Sequence, residues 1–238
     1  MSSDIGVIPQ ADSTYPRLLQ HIHNPPSQLY YRGNISLLNN PRLLAVIGSR
    51  KGTSYGREVI QKLLPSCIES GIVIVSGLAY GIDTLAHRAC VELKASTIAV
   101  LGTGVDDSSI YPRENLQLAH EILQYGGLII SEYKPGTPPH PSHFPARNRI
   151  IAGITSATLV IQAALRSGSL ITARLAMESN QEVLAVPGPI TDSTSEGANM
   201  LIRDGATPIV SAADILSIFE GIPTQMQGTQ KTLLIEKT

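Results

Sequence analysis

Leu43-Leu44-Ala45-Val46-Ile47-Gly48-Ser49-Arg50 is the stretch on which the fold turns. Five apolar residues without alternation make a strand buried on both faces, which belongs in a parallel sheet covered by helices. Gly48-Ser49-Arg50 leads out of that strand, and an amphipathic helical pattern then occupies residues 55–69. The unit recurs. Apolar runs at 72–75, 97–101, 128–130, 158–161, 183–186 and 208–210 alternate with helical patterns at 84–92, 113–124, 170–179 and 198–203. This rhythm predicts one α/β domain over residues 41–219, with a doubly wound parallel sheet of six or seven strands.

The flanks read differently. Residues 1–40 hold two short apolar patterns, a Pro-Pro break and three tyrosines, and end at Asn39-Asn40-Pro41, a breaker signal. They predict a helical or irregular extension. Residues 220–238 are polar and read as a linker or tail. Apolar residues make up 42% of the 238, which argues against disorder. Cys67 and Cys90 have no metal or disulfide spacing and read as buried thiols. Neither a signal peptide nor an apolar run long enough for a bilayer is present, so the expectation is a soluble, cytoplasmic protein.

The formal charge of −1 conceals an asymmetry. Residues 133–177 contain no Asp or Glu and carry +5 through Lys134, Arg147, Arg149, Arg166 and Arg174, which leaves −6 for the rest. A basic patch on an acidic frame suits one kind of anion at one place. Ligands of an open parallel sheet bind beyond the carboxyl ends of its strands. The segments expected there are Gly48-Ser49-Arg50-Lys51, Ser76-Gly77, Gly102-Thr103-Gly104 and Arg166-Ser167-Gly168-Ser169, all rich in glycine and hydroxyl groups. Glycine admits close backbone approach, helix N-termini attract anions, and arginine supplies a forked charge. Phosphate is the ligand such loops suit.

Catalytic patterns are missing from the sequence. It has no GxxxxGK[ST], no dinucleotide fingerprint and no GxSxG elbow. Asp83 and His87 lie four apart, but a helix cap and a packed or solvated imidazole explain them better than acid–base work. His140 and His143 lack the companions of a metal site. The segment His143-Phe144-Pro145-Ala146-Arg147-Asn148-Arg149 sets an aromatic ring beside two arginines and an amide, a combination that binds single strands by charge and stacking.

The motifs then fall into an ordered series. Gly48-Ser49-Arg50, Ser76-Gly77-x-Ala79-x-Gly81-Ile82-Asp83-x-x-Ala86-His87, Tyr111-Pro112-x-x-Asn115, Ser131-Glu132, Phe144-Pro145-x-Arg147-Asn148-Arg149-Ile150-Ile151-Ala152-Gly153, Arg166-Ser167-Gly168-Ser169-x-x-Thr172-Ala173 and Ala185-Val186-Pro187-Gly188 follow one another. The chain thereby resembles the DprA/Smf family of DNA-processing proteins over residues 15–218. The resemblance implies an extended Rossmann-like domain and a non-catalytic homodimer without metal or cofactor. It also implies a protein that binds and protects incoming single-stranded DNA in natural transformation and loads the RecA recombinase. The residues expected at the DNA are Ser49, Arg50, Phe144, Arg147, Asn148, Arg149, Arg166, Ser167, Gly168 and Ser169. For the dimer, residues 199–206 and 212–219 are expected to meet a second copy, with Met200, Leu201 and Ile202 offering at least one exposed apolar side chain.

Two departures from the family pattern stand out. Gln162 ends its strand where many members have Glu, so a pairing with a nearby arginine is expected to be lost or weakened. The winged-helix domain that many members carry after the α/β domain is expected to be absent or cut away here. The competing reading is an enzyme of the phosphoribohydrolase type on a similar sheet. Its PGGxGTxxE signature requires a glutamate that Arg166-Ser167-Gly168-Ser169-Leu170-Ile171-Thr172-Ala173 does not have.

Overall fold

The computed structural model describes residues 4–223. The predicted alternation is present, as an extended Rossmann-like sheet of nine strands. The elements run β1 (Gly6–Pro9), β2 (Gln28–Gly33), β3 (Leu43–Gly48), α1 (Ser54–Glu69), β4 (Val73–Ser76), α2 (Ile82–Glu92), β5 (Thr97–Leu101) and α3 (Leu116–Gln124). They continue with β6 (Leu128–Ser131), α4 (His143–Ile154), β7 (Ala157–Gln162), α5 (Ser169–Glu178), β8 (Glu182–Ala185), α6 (Glu196–Arg203), β9 (Thr207–Pro208) and α7 (Ala212–Ile218). The sheet order is β1-β2-β6-β5-β4-β3-β7-β8-β9. From β6 to β9 every pairing is parallel, while β1–β2 and β2–β6 are antiparallel.

Side-chain alternation along the apolar strands explains their composition. In β3, Leu43, Ala45 and Ile47 join the core beneath α4, α5 and α6, whereas Leu44 and Val46 join that beneath α1, α2 and α7. Both faces are covered, so neither can be polar.

The structure corrects the sequence at two places. The helical or irregular extension expected for residues 1–40 instead contributes β1 and β2 to the sheet edge, with short 3₁₀ turns at Leu18–His21 and Ile35–Asn39. Its buried Tyr15 donates from Oη to the Pro26 carbonyl at 2.7 Å, and its Leu19 packs in the core shared with α4. The second correction is α4, missing from the alternating helical patterns although residues 143–153 also read as a helix start, as the structure has them. Pro145 is the third residue of the helix, where the backbone N–H has no intrahelical acceptor and its loss costs no bond.

Leu201 is 4% exposed, and Met200 and Ile202 are half-buried against the same core. Leu201 therefore cannot offer the exposed contact expected of the three. Of the expected tail, residues 224–238 lie outside the described ones. Among the described residues no helix is long and apolar enough to cross a membrane.

Candidate nucleic-acid interface

The chain leaves β3 toward β4, β5 and β6, then returns to place β7 on the other side of β3. Strand order reverses there, and a cleft of about 490 Å³ opens beyond the carboxyl ends of those two strands. The Ser49 amide donates to the Gln162 carbonyl at 2.8 Å, so the two strand ends stay joined as their loops diverge.

The loop after β3 brings Ser49, Arg50 and Lys51 to the cleft. Its course depends on Gly81, at φ +76°, where a Cβ would sit 2.2 Å from the Ser49 carbonyl oxygen. That oxygen accepts from the Ile82 amide at 3.1 Å, which fixes the loop to the start of α2. Arg50 is exposed, with its guanidinium carbon 5.4 Å from the centroid of the Phe144 ring. Across the cleft the loop after β7 supplies Arg166, Ser167, Gly168 and Ser169 at the N-terminus of α5. Gly168 is exposed with nothing near the place of a Cβ, while Ser167 and Ser169 share a hydroxyl hydrogen bond at 2.6 Å. Exposed arginine, hydroxyls and a helix N-terminus all favour an anionic ligand.

Helix α4 splits the remaining expected residues. Phe144 and Asn148 line the cleft, and Asn148 donates from Nδ2 to the Gly168 carbonyl at 3.3 Å. Arg147 also borders it but is only 4% exposed. Its guanidinium donates to the carbonyl oxygens of Gly77, at 2.7 Å, and Val100, at the ends of β4 and β5. A Cβ on Gly77 would lie 2.4 Å from that guanidinium, so glycine is required where the arginine packs. Arg149 does not line the cleft. It forms a bidentate pair with Glu132, both contacts at 2.7 Å, and donates from Nε to the Asn24 carbonyl at 2.9 Å. Both arginines expected at the DNA thus have protein partners, one on strand ends and the other joining α4 to the residue after β6 and to the N-terminal segment.

Beneath Arg147 lies a polar floor. Asp83, expected to cap α2, instead accepts from the Gly77 amide at 3.1 Å and the Ala79 amide at 3.4 Å, holding the loop after β4. Burial pushes its carboxyl up and Arg147 pulls it back, while burial holds Arg147 down at about 10. His87 is fully buried. Its Nδ1 donates to Thr97 Oγ1 at 3.0 Å, because that hydroxyl already donates to the Ile74 carbonyl at 2.7 Å. Burial, reinforced by Arg147, pushes the imidazole down to about 3, so it is neutral. The buried thiols of Cys67 and Cys90 are raised by desolvation to about 11 and 12.

Gln162 has more partners than the sequence suggested. Its Oε1 accepts from Thr53 Oγ1 at 2.8 Å, and its Nε2 donates to Thr194 Oγ1 at 2.9 Å, which in turn donates to Asp192 Oδ1 at 2.8 Å. Both the oxygen and the nitrogen of the amide are hydrogen-bonded without an arginine, in an arrangement that needs both a donor and an acceptor. A carboxylate could not donate to Thr194. Ser193, Thr194, Thr172 and Lys51 line the cleft yet were absent from the expected site. Lys51 follows directly after Gly48-Ser49-Arg50 in sequence, and the strand-end rule applied to β8 would have drawn attention to Ser193 and Thr194. Among the described residues no cluster of His, Cys, Asp or Glu could hold a metal ion.

Fold and cleft together define a Rossmann-like α/β protein with a cationic groove at the switch point of its sheet. The model of the DNA recombination-mediator protein A family matches residues 6–220, and the chain belongs to that family. It is 45% identical over 209 residues to DNA processing protein DprA of Streptococcus pneumoniae, covering 88% of this chain and 72% of the relative. The crystal structure of the S. pneumoniae protein superposes with a TM-score of 0.84 at 43% identity, covering 90% of this chain and 74% of that one. DNA processing protein A from Helicobacter pylori, described for its unique single-stranded DNA binding mode, gives 0.80 at 31% identity and covers 90% and 94%.

Proposed function

We propose that this chain is a non-catalytic binder of single-stranded DNA that protects incoming strands in natural transformation and delivers them to the RecA recombinase. The observation that carries the reading is the charge balance of the cleft. Arg50, Lys51, Arg147 and Arg166 border it with one carboxylate, Asp83, which is buried and already accepts two backbone N–H bonds. Phosphates meet Arg50, Arg166 and the N-terminus of α5, and Phe144 offers a ring to a base. Ser49, Asn148, Ser167, Gly168 and Ser169 add neutral donors. The cleft is built of loops and helix N-termini that suit phosphates and base faces, so the reading favours single strands with little sequence preference. The H. pylori relative supports it through the single-stranded DNA binding described for that protein.

The reading includes a homodimer, which would double a small site and raise avidity. With Leu201 buried, we place its contact at Val210, 65% exposed between β9 and α7 and between the two stretches expected to pair, though in neither of them. Fluorescence anisotropy tests the main reading, with a labelled single strand and a blunt duplex of equal length at physiological salt. The single strand is expected to bind at least tenfold tighter. Equal affinities would overturn the single-strand preference, and hydrolysis of a nucleotide by the purified protein would instead return the enzyme reading.

A further inference from the structure

Phe144 closes one end of the cleft, but the aromatic surface runs past it. Tyr111, in the loop between β5 and α3, packs against Phe144 with centroids 5.7 Å apart and planes tilted by 43°. It nevertheless keeps 40% of its surface open, and Tyr80, in the loop after β4, keeps 41%. The Tyr80 hydroxyl donates to Glu114 Oε2 at 2.6 Å, three residues along the chain from Tyr111. That hydrogen bond pushes the Tyr80 phenol up to about 12, so Tyr80 is uncharged at physiological pH.

The loops carrying them are locked together. Buried Asn115 donates from Nδ2 to the Leu78 carbonyl at 2.9 Å and to Thr84 Oγ1 at 2.8 Å. Exposed tyrosines on fixed loops present planar area without the ordering cost that a mobile loop carries into binding. β5, β4 and β3 are adjacent and parallel, so their carboxyl-end loops succeed one another along one edge of the sheet. On that edge Tyr80, Tyr111 and Phe144 form a series that ends where Arg50 sits against the Phe144 ring.

We propose that Tyr111 and Tyr80 are a stacking platform on which the bases of a single strand continue out of the Arg50–Arg166 cleft toward the β4–β5 side of the sheet. The proposal rests on the single-strand reading of the cleft and extends it to residues outside the cleft lining. Base stacking on aromatic rings tolerates any sequence, because every base has a π face.

The protein has eight tyrosines and no tryptophan, so its intrinsic fluorescence reports on tyrosine alone. Oligothymidylates of increasing length are titrated into the wild type, Tyr111→Leu, Tyr80→Leu and Tyr111→Phe, with thermal melts confirming that each variant is folded. Long strands should quench wild-type fluorescence. Part of that quench should vanish in the leucine variants, and Tyr111→Leu should weaken long-strand binding about tenfold. Strands short enough to occupy only the cleft should bind it within twofold of wild type, and Tyr111→Phe should retain long-strand affinity. Abasic positions beyond the cleft should weaken the wild type and leave Tyr111→Leu unaffected. Arg50-dependent binding with unchanged quench and affinity in the leucine variants overturns the platform alone. Failure of the wild type to bind any strand overturns the cleft reading with it.

Discussion

The cleft has a wall and a floor, and arginine serves each on different terms. In the wall, Arg50 and Arg166 stand exposed on loops whose backbones are fixed by Gly81, by the Ser49–Gln162 bond and by the start of α5. In the floor, Arg147 is buried, its Nη1 donating to carbonyls at the ends of β4 and β5 and its charge set against Asp83. An exposed arginine keeps its charge for a ligand, whereas a buried one spends its donors on holding the loops that present the others. The difference teaches that the cations of residues 133–177 divide, with Arg147 and Arg149 held by protein partners and Lys134, Arg166 and Arg174 exposed.

This division can be broken most severely at Arg147. Arg147→Ala leaves two buried carbonyls without this donor and the buried Asp83 carboxyl without its opposing charge, and stability to denaturant should fall by about 3 kcal/mol or more. Arg50→Ala, changing an exposed side chain, should stay within about 1 kcal/mol of wild type in the same measurement. Comparable losses at both positions would erase the distinction between floor and wall.

Arg149→Ala comes next, at about 1–3 kcal/mol, because it removes charged hydrogen bonds to Glu132 and Asn24. Its effect on single-strand affinity, measured where the variant remains folded, should be less than twofold. A loss as large as that of Arg50→Ala would return Arg149 to the DNA.

The floor also predicts a pH dependence. His87 is neutral in the folded protein, pushed down to about 3, while the unfolded chain takes up a proton below its ordinary value near 6.5. A depressed base contributes stability above the unfolded value and loses it as the pH falls toward the folded one. Between pH 6.5 and 5, stability should therefore decline by up to about 1.4 kcal/mol per pH unit on account of His87. His87→Asn, which keeps a donor for Thr97, should flatten that slope in chemical denaturation series. An unchanged slope would show that the imidazole is not held neutral.

How much of this the sequence disclosed follows the same division. The uninterrupted apolar runs at β3 and β7 require helices on both faces, and the strand-end rule then brings Ser49, Arg50, Arg166 and Ser167 to one cleft from sequence alone. Tertiary partners decided the rest. Arg147 and Arg149 are alike in sequence, but two residues apart on a helix they point to different sides. One meets strand ends and the other meets Glu132, and neither partner is adjacent in the chain. β1 and β2 are short strands that owe their identity to antiparallel pairing, β1 with β2 and β2 with β6. The hydrogen-bonded setting of Gln162 was hidden because Thr53 and Thr194 lie 109 and 32 residues away from it.

The central claim, that the wall arginines meet phosphates, is tested most directly by the salt dependence of single-strand binding. Each phosphate contact contributes about 0.7 to the slope of log affinity against log salt concentration. Arg50→Ala and Arg166→Ala should each lower that slope by about 0.7 while leaving the thermal melt near that of the wild type. A slope and affinity identical to wild type in both variants would place the strand outside the cleft and contradict the account.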